Sequence, residues 1–196
     1  MGPERRATSY GCILSRRKLQ IIDVKDAVPA DDHGLDLRGS HAGFSRMSQT
    51  KFREIAPAVL FDTSGRLLLQ LRDDIPSIIY PGKIGLFGGH REGSETFLEC
   101  VVREIREELS FYLPPERFQS IASRSGPDSE VPGGTVRAEI FVARDVPVAE
   151  IKVTEGSLKI VPTSEVSQIE SALTPYAKVA LVSLGLLPAF PSDQGA

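Results

Sequence analysis

The strongest helical pattern in the chain lies in residues 96–109, and it constrains the fold more than any other segment. Its apolar side chains recur at the i, i+3, i+4, i+7 spacing that forms one buried stripe on a helix; they are Leu98, Val101, Val102, Ile105 and Leu109. Thr96 and Glu99 have the spacing of a capping box, and Pro114-Pro115 prevents continuation. The segment predicts an amphipathic helix that packs on a larger core.

Three glutamates share another face of this helix. Because an α-helix turns by about 100° per residue, Glu108 lies about 40° from Glu104, and Glu107 lies about 60° away on the other side. Like charges at these spacings destabilise a helix by about 0.2–0.5 kcal/mol per pair. One explanation is a solvated face on which Arg103 and Arg106 dilute the repulsion. The other is a set of oxygen ligands for Mg²⁺ or Mn²⁺. Under both, we expect this face to look outward from the core.

The segment in front of the helix favours the metal explanation. Residues 88–95 read Gly-Gly-His-Arg-Glu-Gly-Ser-Glu. A glycine-rich loop of this kind lets the backbone approach a metal ion or a phosphate closely. Its last residue, Glu95, adds a carboxylate immediately before the helix begins.

Strand-like runs and further helical segments surround this motif. Apolar runs bounded by turn formers predict strands at residues 55–61, 66–72, 83–87, 117–122, 136–142 and 158–161. We expect a hairpin turn at residues 62–65, a break at Gly88-Gly89 and a loop at residues 123–134. Helices are predicted at residues 164–172 and 174–187. This alternation, without an internal repeat, indicates one mixed α/β domain over residues 51–190.

Composition is that of an ordinary globular protein. The chain has 196 residues, of which 41% are hydrophobic and 25% are charged. These proportions allow a buried core and exclude wholesale disorder. Residues 1–50 contain no long periodic pattern, so we expect a loosely ordered N-terminal extension, and we expect a flexible tail at residues 191–196.

Charge, hydropathy and cysteine content narrow the partners and the compartment. The net charge of −3 argues against a general nucleic-acid binder. No apolar run reaches the roughly 20 residues of a membrane span. The two cysteines, Cys12 and Cys100, form no disulfide framework, which favours a cytoplasmic location.

Together, the loop and the helix resemble the Nudix box of the Nudix hydrolase family, whose members include MutT-like proteins. The family's pattern is G, five residues, E, seven residues, R-E-U-x-E-E-x-G-U, where U is a bulky aliphatic residue. Gly89, Glu95 and residues 103–109 match it. Ser110 replaces the last glycine, and Phe111 is an aromatic residue at the final U. We expect Ser110 to alter the helix end slightly without loss of activity, since no carboxylate is missing.

The resemblance covers about residues 54–187 and implies an α/β/α sandwich around a mixed β-sheet. It implies a hydrolase that cleaves the diphosphate linkage of a nucleoside diphosphate joined to another moiety, with Mg²⁺, or alternatively Mn²⁺, as cofactor. The small-molecule substrate would be a nucleoside triphosphate, an oxidised nucleotide or a nucleotide sugar. The loops at residues 73–82 and 123–134 would read its identity, which the sequence leaves open.

The resemblance also implies roles for particular residues. The metal ligands would be Glu104, Glu107 and Glu108, with the Gly89 carbonyl as an additional one. Glu95 would support the metal site, and Arg103 would orient the glutamates through charge-assisted hydrogen bonds. Glu155 is our downstream candidate for a further ligand or the general base, and its alternative is a solvent-facing loop residue. Either Glu104 or Glu155 would accept the proton from the attacking water.

Two other functions stay open. The domain could be a catalytically silent Nudix-like module that binds a nucleotide or a protein partner, although every glutamate of the motif is present. It could also be an isomerase of the same fold, whose product keeps its diphosphate. Relatives of this kind frequently dimerise, so a homodimer is a further expectation.

Overall fold

The computed structural model describes residues 51–189, which form a seven-stranded sheet with an α-helix on each face. The predicted N-terminal extension and C-terminal tail lie outside the described residues. The strands are β1 (Phe52–Asp62), β2 (Leu67–Leu71), β3 (Ile84–Gly85), β4 (Phe87–His90), β5 (Gln119–Pro127), β6 (Thr135–Val146) and β7 (Ser157–Val161). The α-helices are α1 (Phe97–Leu109) and α2 (Pro175–Ser183), and 3-10 turns occur at Pro115–Arg117, Val148–Glu150 and Thr163–Ala172.

The sheet mixes parallel and antiparallel pairings. The strand order is β3-β2-β1-β6-β5, with β4 also paired to β1 and β7 also paired to β2. The β1–β6 pair is parallel, and the other pairs are antiparallel. The predicted mixed α/β architecture is confirmed.

Two apolar cores lie on opposite faces of this sheet. Successive residues of a strand point to opposite faces, so a strand buried on both sides reads as a continuous apolar run. Val59 and Leu69 pack with Leu181 of α2 in one core. Leu60 packs with Ile105 of α1 in the other. The sandwich of α1, sheet and α2 follows from this alternation, and within residues 51–189 no helix is long and apolar enough to cross a membrane.

The glycine pair before α1 lies in a strand, so the predicted break is wrong. Gly88 and Gly89 belong to β4 and pair with Pro57 and Ala56 of β1. Gly88 has φ +119°, and a Cβ there would lie 2.4 Å from the Ala56 carbonyl oxygen. The strand forms because the missing side chains permit this close approach.

Three other predicted elements have different limits in the structure. The β5–β6 pairing extends outward to Pro127 and Thr135, which shortens the expected loop, because the outer part of this edge hairpin is too polar to show an apolar pattern. Thr163–Ala172 forms 3-10 turns in which only Val166 is buried, so no apolar stripe favours an α-helix there. Helix α2 ends at Ser183, where the chain turns through Gly185 with φ +70°.

The predicted hairpin turn after β1 is organised by Asp62. Its buried carboxylate accepts hydrogen bonds from the Ser64 and Arg66 backbone N–H groups at 2.8 Å each, and from Arg66 Nε at 2.7 Å. Asp62→Ala leaves these donors unpaired and should lower the free energy of unfolding by about 1–3 kcal/mol. Asp73→Ala, at an exposed position of the next loop, should change it by about 0.5 kcal/mol or less. Urea denaturation at pH 7 measures both.

The Asp62 contribution should depend on pH. Burial opposes ionisation, but the hydrogen bonds from Arg66 and Ser64 prevail and lower the pKa of Asp62 below its usual value. The stabilisation is therefore present above the unfolded-state pKa of about 3.9 and disappears as the pH falls through the lower folded-state pKa. A constant difference between parent and Asp62→Ala down to pH 2 would contradict this assignment.

Candidate active site

A cavity of about 380 Å³ opens between β1, β2, β4 and α1. Two groups of charged side chains line it, together with Arg72 and Glu92. The first, which we call the acidic group, consists of Glu104, Glu108 and Glu155. The second contains Arg53 and Glu130. Since the first group contains Glu104 and Glu108 of the glutamate motif, together with the downstream candidate Glu155, it is the candidate catalytic centre.

The start of α1 agrees with the sequence prediction. The Thr96 hydroxyl accepts from the Glu99 backbone N–H at 3.1 Å, and the Glu99 carboxylate accepts from the Thr96 N–H at 2.7 Å. This capping box fixes the first turn of the helix. Further along, Ile105 and Leu109 are fully buried in the core, so the helix presents its glutamates from a rigid position.

We predicted that the three glutamates of α1 look outward from the core. This prediction is wrong for Glu104 and Glu108, which lie against β4. Glu108 is only 7% exposed. Its Oε2 accepts from the Gly88 backbone N–H at 2.7 Å, and its Oε1 accepts from Gln70 Nε2 at 3.2 Å. Burial, together with the nearby charges of Glu104 and Glu155, raises the pKa of Glu108 to about 7. Room for this carboxylate exists because the facing residues are glycines.

Glu104 occupies the space in which a side chain on Gly89 would lie. A Cβ built on Gly89 would be 2.4 Å from Glu104 Oε1. The Gly89 carbonyl lies beside the same helix and accepts a weak hydrogen bond from Cys100 Sγ at 3.8 Å. Burial raises the pKa of Glu104, and the charges of Glu107 and Glu155 act in the same direction. Ionisation of Glu104 and Glu108 is therefore unfavourable, because both carboxylates are at least partly buried and lie near other negative charges.

The loop before β7 carries Glu155 to the cavity. The Thr154 N–H donates to the Glu108 carbonyl at 2.8 Å, and the Lys152 N–H donates to the Leu109 carbonyl at 2.8 Å. These bonds satisfy carbonyls that the end of α1 would otherwise leave unpaired. Gln70 Nε2 donates to the Glu155 carbonyl at 3.3 Å from the other side. Glu155 itself is exposed and lines the cavity.

Arg103 links the loop of the motif to the helix. Its guanidinium donates to Glu95 Oε1 at 2.8 Å, to Glu104 Oε1 at 3.1 Å and to the His90 carbonyl at 2.9 Å. Glu95 also accepts from the Glu92 N–H at 2.7 Å. Chiefly because of Arg103, the pKa of Glu95 falls to about 2, so this ion pair persists at any physiological pH.

Two residues of the motif are placed away from the cavity. The Glu107 side chain is 59% exposed and accepts from Arg103 Nη1 at 3.1 Å. Ser110 ends α1 in the left-handed conformation, with φ +48°, which is the conformation that the family's glycine would supply. The structure therefore brings together Glu104, Glu108 and Glu155 but not Glu107.

The acidic group fits a divalent cation. Mg²⁺ is commonly bound in proteins through one or two carboxylates together with water and substrate phosphate. Two half-buried or buried carboxylates with raised pKa values, Glu104 and Glu108, are the oxygen donors that such an ion needs, and its charge would relieve their repulsion. Within residues 51–189, no three Asp, Glu, His or Cys side chains are already arranged to hold an ion.

Several cavity residues escaped the sequence analysis. Gln70 interrupts the leucine run of β2, and this buried polar residue in an apolar strand was a readable signal. Arg53, Glu130 and Tyr176 carried no signal, because they come from distant parts of the chain and meet only in the folded protein. The loops that contact the cavity at residues 73–82 and 128–134 include Tyr80 and Glu130.

Comparison with known structures gives the same fold. A MutT protein from Methanosarcina mazei Go1 is 22% identical, with a TM-score of 0.58 over 70% of this chain and 95% of that chain. A MutT NUDIX hydrolase from Burkholderia pseudomallei is 25% identical, with a TM-score of 0.55 over 68% of this chain and 98% of that chain. A NUDIX hydrolase from Nitrosomonas europaea is 18% identical, with a TM-score of 0.53 over 74% of this chain and 97% of that chain. No curated protein sequence matches the chain significantly.

A model of the NUDIX domain family matches residues 51–189, which is well over half of the chain. The matched region contains every cavity residue described above. The resemblance of the glutamate motif, the α/β/α sandwich and the family match therefore agree. The chain belongs to the NUDIX family and is a Nudix pyrophosphohydrolase.

Proposed function

We propose that this enzyme hydrolyses the diphosphate linkage of a nucleoside diphosphate joined to another moiety, with Mg²⁺ as its cofactor and Mn²⁺ as a substitute. The observation that carries the proposal is the acidic group. Helix α1 holds Glu104 and Glu108 against β4, and the loop before β7 adds Glu155 to the same cavity. Placing three carboxylates together is costly unless a cation shares their charge.

The donors around the acidic group support a division of roles. Glu104, Glu108 and the Gly89 carbonyl would hold the cation, with Glu107 able to join them by rotation of its exposed side chain. When bound, Mg²⁺ neutralises diphosphate charge and activates the attacking water. Arg103 keeps Glu104 oriented through its hydrogen bond at 3.1 Å.

The reaction is the attack of water on a phosphorus atom. A new P–O bond forms to the water oxygen, and the P–O bond to the bridging oxygen breaks, with its electron pair leaving on the departing phosphate. A carboxylate oxygen of Glu104 or Glu155 accepts the proton that the water loses. Arg72, whose Nε donates to the Ile79 carbonyl at 2.8 Å, lines the cavity and brings positive charge to the phosphates.

Product identification across substrate classes tests the proposal. The purified chain is incubated with nucleoside triphosphates, oxidised nucleotides, nucleotide sugars and dinucleotide polyphosphates, with Mg²⁺, with Mn²⁺ and with a chelator. We expect one class to yield a nucleoside phosphate and a second phosphorylated product only when the cation is present. Absence of turnover in every class, or a product that retains its diphosphate, would reject the proposal; the second result would indicate an isomerase.

The Arg103→Lys variant tests whether Arg103 acts through its positive charge alone or through the hydrogen bonds that its guanidinium makes. Lysine keeps the positive charge but cannot donate to Glu95, Glu104 and the His90 carbonyl at once. We expect activity at limiting Mg²⁺ to fall by about 10- to 100-fold, with partial recovery at high Mg²⁺. Arg106→Lys, on the exposed side of the same helix, is the matched control and should behave as the parent does. Mg²⁺ titrations of the initial rate measure both, and identical curves for Arg103→Lys and the parent would remove the orienting role.

The cellular location, the partner class and the oligomeric state are proposals as well. The low cysteine count supports a cytoplasmic location. The acidic net charge supports a small-molecule nucleotide derivative, and no nucleic acid, as the partner. A homodimer stays a prediction, which sedimentation analysis tests.

A further inference from the structure

Gln70 is a buried amide near the end of β2, beside the acidic group. It is 5% exposed and lines the cavity. Because successive residues of a strand point to opposite faces, Gln70 points to the same side of the sheet as Leu68, which is fully buried in the core beneath α1. An apolar side chain would extend that core with no polar group to satisfy. An amide at this position is favourable only if it finds hydrogen-bond partners.

The amide nitrogen of Gln70 joins two elements that each carry a glutamate of the acidic group. It donates to Glu108 Oε1 of α1 at 3.2 Å, and to the Glu155 carbonyl in the loop before β7 at 3.3 Å. A backbone carbonyl can only accept, so the nitrogen of the amide, and not its oxygen, faces this pair. The oxygen of Glu108 is therefore an acceptor too, as it is in an ionised carboxylate.

Donors from two different strands hold the two oxygens of the Glu108 carboxylate. The Gly88 N–H of β4 donates to Oε2 at 2.7 Å, and Gln70 of β2 donates to Oε1. Because the donors contact different oxygens, together they fix the rotation of the carboxylate plane. Each carboxylate oxygen can accept more than one contact, so both stay able to bind a cation. Without Gln70, only Oε2 would keep a donor among the described residues, and the plane could turn.

The same amide holds the loop that carries Glu155. Gly156 lies against β2 with φ +66°, and a Cβ there would be 2.5 Å from the Leu71 carbonyl oxygen and 3.4 Å from Gln70 Cγ. This close approach requires a glycine, and it brings the Glu155 carbonyl within reach of the amide. On its other side the loop is attached to α1 through the Thr154 N–H. Gln70 therefore lies where β2, α1 and the loop meet.

We propose that Gln70 is a positioning residue of this site: its amide orients the Glu108 carboxylate for the cation and holds the loop so that Glu155 faces the same cavity. Gln70 lies outside the glutamate motif, on a different strand, and it acts through these two glutamates. The proposal rests on the proposed function, since the cation and the attacking water are what the two glutamates would contact.

Amide hydrogen exchange of the full chain in a chelator tests the positioning of the loop without cation or turnover. Gln70→Met keeps the length of the side chain and removes the amide donor. The Thr154 N–H should exchange about fivefold faster in Gln70→Met than in the parent, because the loop loses one attachment, whereas amides in the buried centre of β1 should exchange as in the parent. Equal acceleration in both places would indicate a merely structural role and overturn the proposal.

Cation affinity tests the orientation of Glu108. Mg²⁺ is titrated calorimetrically into the protein with a bound, non-hydrolysable methylene diphosphate nucleotide. Gln70→Met should bind the cation about tenfold more weakly than the parent. The double variant Gln70→Met/Glu108→Gln should lose much less than the product of the two single losses, because a residue that acts through Glu108 has little further effect once that carboxylate is gone. Fully multiplicative losses, or parent affinity in Gln70→Met, would contradict the proposal.

Steady-state kinetics separate positioning from substrate binding. At saturating Mg²⁺, Gln70→Met should lower kcat by about tenfold and change the KM of the preferred substrate by less than about twofold, since the amide acts through the glutamates. Gln168→Met makes the same change at an exposed position of Thr163–Ala172 and should match the parent in every measurement. A change in KM alone would show that Gln70 binds the substrate directly, which is a different role.

The two proposals fail in different ways. If Gln70→Met and the parent agree in Thr154 exchange and in cation affinity, the positioning role is rejected even if nucleotides are hydrolysed. If both measurements change as expected but the parent turns over no diphosphate compound with Mg²⁺ or Mn²⁺, the proposed function is rejected and the positioning role is retained. A parent that binds no cation contradicts both.

Discussion

Replacing Glu104 with glutamine should reduce turnover by about 10²- to 10⁴-fold while leaving the fold intact. The amide keeps the size of the side chain but can neither accept the proton of the attacking water nor contribute negative charge to a cation. Burial raises the pKa of Glu104, so its charge destabilises the cation-free protein at neutral pH. Without cation, the melting temperature of Glu104→Gln should therefore equal or exceed that of the parent. Steady-state kinetics at saturating Mg²⁺ and circular dichroism measure the two effects.

A matched glutamate away from the cavity controls this experiment. Glu165 is exposed on the 3-10 segment Thr163–Ala172, and Glu165→Gln should retain full activity. Equal rates for Glu104→Gln and the parent would remove Glu104 from the mechanism. A large loss in both variants would show that the assay responds to general damage to the protein.

Adding a single methyl group to each of two neighbouring glycines should affect different properties, stability for Gly88 and activity for Gly89. In Gly88→Ala the new Cβ meets the Ala56 carbonyl oxygen at 2.4 Å, and the residue must keep φ +119°. Neither the β1 backbone nor this φ can adjust cheaply, so the free energy of unfolding should fall by about 2–5 kcal/mol. Urea denaturation measures the loss.

Gly89→Ala should instead spare the fold and impair catalysis. The atoms that its Cβ meets belong to the Glu104 carboxylate, which can rotate away from its position. We expect a stability change of about 1 kcal/mol or less and a loss of activity of about 10²-fold, because a small displacement of a reacting group is costly.

The hairpin turn supplies the control for both glycine variants. Gly65 has φ +77°, and a Cβ there would meet nothing within 4 Å, so Gly65→Ala should show only the modest strain of a left-handed residue, about 1–2 kcal/mol, with full activity. A Gly89→Ala enzyme as active as the parent would show that Glu104 does not need its present position.

The parts of the fold that the sequence predicted are those encoded locally. Helix α1 was predictable because its capping box and its apolar stripe lie within residues 96–109. The two-sided burial of β1 and β2 is visible as runs of consecutive apolar residues, at residues 58–61 and 67–69. The outer half of the β5–β6 hairpin was not predictable, since its polar edge residues are held by pairing rather than by burial. The glycines of β4 looked like a break because their role depends on the approach of β1.

The candidate active site shows the same difference between features encoded locally and features that depend on tertiary contacts. Spacing along one helix predicted that Glu104 and Glu108 share a face, but it could not show that Glu108 is buried against β4, because that contact depends on residues twenty positions away. The contact of Glu107 with Arg103, by contrast, is a local pair four residues apart on the same helix. That Glu130 and Tyr176 line the same cavity as the acidic group depends on tertiary structure, which no local pattern encodes.

Calorimetric titration of Mg²⁺ into the protein with a bound, non-hydrolysable methylene diphosphate nucleotide tests the central claim most directly. That claim is that Glu104 and Glu108 hold a divalent cation against the diphosphate. The parent should bind the cation, and Glu104→Gln and Glu108→Gln should each bind it at least about tenfold more weakly, whereas Glu165→Gln should match the parent. Equal cation affinity in the parent and both cavity variants, or no cation binding by the parent, would contradict it.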